Sequence, residues 1–152
     1  MSGSVLATRA RLDRAVSALN ALRACGGEAA EAAERLAEAL FDAPRHLAVY
    51  GSLAPGRSNH GEVAPLGGAW QRGRVHGELH SVSSGAAAGY TTLRWIPSAP
   101  SLEVDLLRSS ALVTAWPRLD AFEGSGYVRI LVPVWSTDGL LAVANLYAAR
   151  CA

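Results

Sequence analysis

The chain contains no lysine: all fourteen of its basic residues are arginine. That removes Schiff-base catalysis on a lysine and any phosphate-binding loop built on Gly-Lys-Ser/Thr. Cysteine is almost as scarce. Cys25 and Cys151 lie far apart with no Cys-x-x-Cys spacing, so neither a disulfide framework nor a zinc knuckle is expected, and Cys151, the penultimate residue, reads as incidental. No apolar run approaches the ~20 residues that span a bilayer. The opening segment MSGSVLATRARLDR lacks the basic start, apolar core and cleavage site of a secretory signal. These absences predict no membrane partner and a cytoplasmic location. A net charge of +1, with no arginine stripe interleaved with aromatics, argues against nucleic acid as a partner.

What is present divides into two unequal parts. Up to Phe41 the chain is alanine-rich and has no aromatic residue. Leu12, Val16, Leu19 and Leu22 recur at helical spacing, Cys25-Gly26-Gly27 breaks the run, and Ala29, Ala33, Leu36 and Leu40 resume it. Asp42-Ala43-Pro44 ends the second run. Residues 1–44 are read as an α-helical hairpin, a packing or dimerisation element with no chemical site, through which the chain forms a homodimer if it forms one.

Residues 45–152 change to strands and turns. The segments 46–50, 74–80, 90–96 and 101–107 are rich in β-branched and aromatic residues. Those at 127–135 and 140–148 flank Ser-Thr-Asp-Gly, a hairpin signal, and Pro133 inside the first of them predicts a sheet edge or a bulge. Residues 109–122 read as a helix or two short turns, with Ser110 as a candidate N-cap and Pro117 as a candidate first-turn residue. Helices do not alternate with strands, so the class is α+β or barrel-like, without βαβ units.

Three motifs can carry chemistry. VYGSLAPG (49–56) runs an apolar strand into a glycine turn whose N–H groups, with the Ser52 hydroxyl, suit a carboxylate or an oxyanion. It has neither the glycine spacing of a dinucleotide site nor the lysine of a phosphate loop. LDAFEGSGYVR (119–129) sets Glu123 between Phe122 and Gly124. An apolar Phe122 wall would raise the carboxyl pKa toward the range of a general acid–base group, and Gly124 and Gly126 would let a small ligand approach. VHGELH (75–80) puts His76, Glu78 and His80 on one strand face, a set that can bind a divalent metal although strand spacing spreads its members widely.

The order and spacing of VYGSLAPG, GELH and LDAFEGSGYVR resemble the γ-glutamylcyclotransferase-like superfamily, on the branch of the bacterial relatives of the plant avirulence-induced-gene proteins. The resemblance covers about Leu47–Ala148. It implies a small mixed β-barrel of that type, here preceded by the helical hairpin. It also implies a small γ-glutamyl substrate, cyclised to 5-oxoproline with release of an amine or amino acid, and no metal or cofactor. On this resemblance Glu123 is the general acid/base. Tyr50, Gly51, Ser52 and Leu53 contact the substrate, and Tyr127 walls the pocket. The alternative is a non-catalytic small-ligand-binding or interaction protein on the same scaffold.

Overall fold

The computed structural model describes residues 3–150; Cys151 lies outside them. Two helices, α1 (Gly3–Cys25) and α2 (Gly27–Phe41), form the predicted hairpin. Gly26, at φ +70°, makes the turn between them in a conformation that costs glycine little. On α1 the predicted face is the packed one: Val16 and Leu19 are buried, and Leu12 and Leu22 lie against them. On α2 it is so only in part. Ala33, on the predicted row, is buried, but together with Ala37 rather than with Leu36 and Leu40, which are exposed. Both rows of α2 have helical spacing, so periodicity cannot choose between them. Small side chains win because they let α2 pack close to α1, and the part-buried Arg23 pairs with Glu34 at 2.6 Å beside that contact. Asp42 then takes the left-handed conformation at φ 53° and donates its N–H to the Glu38 carbonyl at 3.0 Å, ending α2.

Six strands follow: β1 (His46–Val49), β2 (Ala69–Ser81), β3 (Thr91–Trp95), β4 (Ser101–Arg108), β5 (Tyr127–Ser136) and β6 (Gly139–Ala149), with α3 (Leu112–Glu123) between β4 and β5. Neighbours run β3-β2-β4-β1-β6-β5, and β5 returns to β2. Five strands therefore close a barrel, and β3 is added on the outside of β2. All pairs are antiparallel except β1–β6, which run parallel and meet at Leu47 and Asn145. The fold is a mixed α+β barrel preceded by a helical pair.

Alternation along β1 sends Ala48 into the barrel interior with Val75, Val104, Val132 and Leu146. It sends Leu47 and Val49 to a second core under α3, with Leu107, Leu112, Trp116 and Leu119. The hairpin closes a third core over Leu131 and Val143. There it also meets polar backbone. Asn20 accepts the Leu131 N–H at 2.8 Å and donates to the Leu131 carbonyl at 2.9 Å, and Arg23 donates to the Arg129 carbonyl at 3.3 Å. This side of β5 pairs with another strand only through Trp135, so two helix side chains do the work of a missing strand.

Local expectations fared unevenly. Pro133 lies on the strand with that sparsely paired edge, one residue before a register shift at Val134/Trp135, as a proline inside a strand requires. The β5–β6 turn is Thr137-Asp138, with Gly139 beginning β6 at φ 136°, one residue earlier than the Asp138-Gly139 signal suggested. Pro117 sits inside α3 rather than in its first turn. The side chain that accepts a backbone N–H at the start of α3 is Ser109, from Ala111 at 3.2 Å, not Ser110.

Candidate active site

A cavity of about 410 Å³ opens at one end of the barrel, where β1 gives way to the turn after Tyr50. Tyr50, Gly51, Ser52, Leu53, Glu123 and Tyr127 all line it, so the six residues singled out by the resemblance share one space of ligand size.

The turn after β1 is held from within. Ala54 N–H donates to the Gly51 carbonyl at 3.1 Å, and Asn59 N–H donates to the Ser52 carbonyl at 2.8 Å. Asn59 Nδ2 donates to Ser52 Oγ at 2.9 Å, and His60 Nδ1 lies 2.9 Å from the Leu53 carbonyl. Among the described residues the N–H groups of Gly51, Ser52 and Leu53 have no backbone acceptor. A turn of donors beside a cavity suits a carboxylate or a developing oxyanion.

Glu123 ends α3. Gly124, at φ 77°, donates its N–H to the Asp120 carbonyl at 3.0 Å and turns the chain away. The Glu123 carboxylate is half-buried and has no hydrogen bond or ion pair among the described residues. Burial alone holds its pKa above the ordinary 4.5, in the direction a base for an ammonium group requires. Two sequence-based reasons for this environment need correction. Phe122 is exposed and does not line the cavity; the apolar and aromatic residues that share the cavity with Glu123 include Val49, Leu53 and the tyrosines. Gly126 does not open a path for ligand, because a Cβ there would stand 2.8 Å from the Ala87 N atom. Its role is to admit the loop at 86–87.

One helical turn earlier, Asp120 lies in the opposite situation. It accepts from Arg129 Nε at 3.0 Å, from the second Arg129 nitrogen at 3.3 Å and from the Tyr147 hydroxyl at 2.6 Å. Arg129 also donates to Asn145 Oδ1 at 3.1 Å and lies over the Trp116 ring at 4.5 Å. The Tyr147 carbonyl accepts the Tyr50 hydroxyl at 2.6 Å. The chain Asn145–Arg129–Asp120–Tyr147–Tyr50 thus ties the last turn of α3 to β5, β6 and the glycine turn, fixing where Glu123 stands. Burial and Asp120 hold Tyr147 un-ionised, its pKa far above the ordinary 10. Burial also raises Tyr50 and Tyr127, so the aromatic walls are neutral.

Tyr147, Tyr90, Thr91, Arg57 and Asn59 also line the cavity and were not singled out from the sequence. Arg57 and Asn59 follow VYGSLAPG directly, and extending that motif by three residues would have caught both. Tyr147 is brought in by strand pairing alone and carries no local signal. The His76, Glu78 and His80 face is elsewhere and does not converge: His76 Nδ1 lies 2.8 Å from the Ala99 carbonyl, while His80 and Glu78 pair with each other at 3.1 Å. Among the described residues no group of three or more potential ligands could hold a metal ion. No helix of the described chain is long and apolar enough to cross a membrane.

No family model and no curated protein matches the chain. Solved structures do. YkqA from Bacillus subtilis aligns with 70% of this chain at a TM-score of 0.54 and 24% identity. Kluyveromyces lactis allophanate hydrolase aligns with 69% at 0.53 and 12%. The matched regions are 36% and 17% of those proteins, so the chain spans well under two thirds of either. A mouse AIG2-like protein aligns with 70% of the chain and 77% of its own length, at a TM-score of 0.49 and 18% identity. At these identities the likeness to the first two is one of fold.

Proposed function

We propose that the protein is a γ-glutamyl cyclotransferase-type enzyme. It takes a small γ-glutamyl amine, amino acid or peptide and releases 5-oxoproline and the free amine. The observation that carries this reading is an unpaired, half-buried Glu123 in the same cavity as the uncommitted N–H groups of Gly51–Leu53. An ionisable side chain left there without a structural partner favours turnover over the non-catalytic scaffold.

In the proposed reaction Glu123 takes a proton from the substrate's α-ammonium group. The freed amine attacks the γ-carbonyl carbon of the same molecule and closes a five-membered ring. The carbonyl oxygen becomes an oxyanion, and the turn N–H groups and Ser52 stabilise it. Collapse of that intermediate breaks the bond to the departing nitrogen, and Glu123 returns the proton there; the second proton of the ring nitrogen, which is positively charged after the attack, passes to water and leaves the neutral lactam. One carboxyl can serve both steps, and burial moves its pKa in the direction that suits a base which must later act as an acid. The attack is intramolecular, so much of the acceleration comes from holding the chain folded against Tyr50, Tyr127 and Tyr147. The residues invoked need no cofactor for this chemistry.

The test is 5-oxoproline release from a panel of γ-glutamyl amines, amino acids and peptides. Release from a member of the panel is expected. No release from any of them would remove the cyclotransferase reading and leave a ligand-binding protein.

A further inference from the structure

We propose that Arg57 selects substrates whose departing amine carries a carboxylate, so that γ-glutamyl amino acids and peptides are preferred over γ-glutamyl amines. This rests on the cyclotransferase reading above and deepens it. Arg57 and Glu123 are the two charged side chains among the cavity walls, and they differ in sign. The proposed reaction employs Glu123 and gives Arg57 nothing to do.

The Arg57 guanidinium has no hydrogen bond or ion pair among the described residues. Arg118 and Arg129, by contrast, are tied to Glu62 and Asp120. Of the arginines without such a partner, Arg57 is the one that lines the cavity. Its backbone is fixed at both ends. Its N–H donates to the Ala54 carbonyl at 3.0 Å, and its carbonyl accepts the His60 N–H at 3.2 Å. The two Asn59–Ser52 bonds brace the same loop against the Gly51–Leu53 turn.

Position assigns the two halves of the substrate. Leu53 is buried and Arg57 exposed, so the charge stands at the rim. The γ-glutamyl half must reach Glu123 and the turn, and the departing half extends toward the opening. A carboxylate on that half meets a planar guanidinium whose paired N–H donors match its two oxygens. A second ammonium there would meet Arg57 with no acidic wall residue other than Glu123 to offset it.

The test compares γ-glutamyl-alanine with γ-glutamyl-ethylamide, which has the same skeleton without the departing carboxylate. Dissociation constants are measured calorimetrically in a Glu123→Gln background, so that ligand is not consumed. 5-Oxoproline release is followed separately with Glu123 intact. The ratio of the two affinities is the readout. With Arg57 present it should favour the alanine compound roughly tenfold and shrink at high salt. Arg57→Gln should bring it near one, and Arg57→Lys should retain part of it. An unchanged ratio in Arg57→Gln would overturn the proposal, as would an equal loss for both ligands, which would put Arg57 on the γ-glutamyl carboxylate. Failure to bind either ligand would overturn it too. Selective binding without any 5-oxoproline release would sustain Arg57's role while removing the reaction.

Discussion

The hairpin-covered side of the barrel and its open mouth handle polar groups in opposite ways. Under the hairpin each is matched. Asn20 satisfies both backbone groups of Leu131, Arg23 caps the Arg129 carbonyl, and the buried Asn145 donates to the Ala43 carbonyl at 2.8 Å while accepting from Arg129. At the mouth, Glu123, the Arg57 guanidinium and the Gly51–Leu53 N–H groups are left without partners among the described residues. Unmatched polar groups cost stability when water is excluded. Their concentration in one cavity is why the mouth, and not the hairpin, is the place to look for chemistry. The contrast also runs along one helix: Asp120 has three donors and Glu123 has none.

Glu123→Gln should break the mouth's side of the contrast most. The swap keeps the shape and removes the base, so 5-oxoproline release should fall on the order of 10²–10⁴-fold. The fold should not suffer. The folded state raises the Glu123 pKa, so the stability attached to its protonated form is lost as pH rises through that value. The Gln variant should therefore match or exceed wild-type stability at pH 7, with any gain shrinking as pH falls from the raised value toward 4.5 and gone below it. Undiminished release would contradict the assignment.

Asn20→Ala should do the reverse. It leaves both Leu131 backbone groups unpaired, and chemical denaturation should register a loss of about 2 kcal/mol. Release per folded molecule should stay close to wild type. A stability loss within ~0.5 kcal/mol would mean that water replaces Asn20 freely and that the hairpin is not an edge cover.

Ser52→Ala sharpens the mouth's side. One hydrogen bond to the oxyanion is at stake, and with it the brace from Asn59. Catalytic efficiency should fall by about 0.5–1.5 kcal/mol in barrier terms, with more of the change in kcat than in KM if the bond forms in the transition state. A pure KM effect would move Ser52 to ground-state binding.

The smallest expected effect belongs to His46, at the hairpin junction. Arg108 Nε donates to its Nε2 at 3.0 Å, so Nδ1 carries the proton and donates to the Asp42 carbonyl at 2.9 Å. Burial first, and Arg108 after it, lower its pKa below 6.5. The unfolded chain then binds the proton more readily. Stability should fall as pH drops from about 6.5 to the lowered value and level off beneath it. His46→Gln should remove that segment of the pH–stability curve, and an unchanged slope would assign it to another group.

How much of this was legible in the sequence follows the range of the interaction. The helical pair, the strand runs and the glycine turn after Tyr50 are short-range features, and composition and periodicity revealed them. Ala33 was on the predicted row of α2, but the competing row through Ala37 has the same period, so only close packing could choose Ala37 over Leu36 and Leu40. Glu123 was found through its motif, but Phe122 was the wrong wall and Gly126 serves a loop brought in from residues 86–87. Tyr147 reaches the cavity from β6, and no local pattern announces it. The Asp120 network is visible only once α3, β5 and β6 are assembled.

The central claim is that Glu123 is an uncommitted carboxyl held in a desolvating cavity, and carboxyl-carbon NMR titration tests it most directly. Spectra of wild type and Glu123→Gln identify the resonance by its disappearance. The account predicts a midpoint above the ordinary 4.5 that shifts when a γ-glutamyl ligand binds. A midpoint at or below the ordinary value, unmoved by ligand, would mean that Glu123 is a solvated helix end, and the proposed reaction would lose its base.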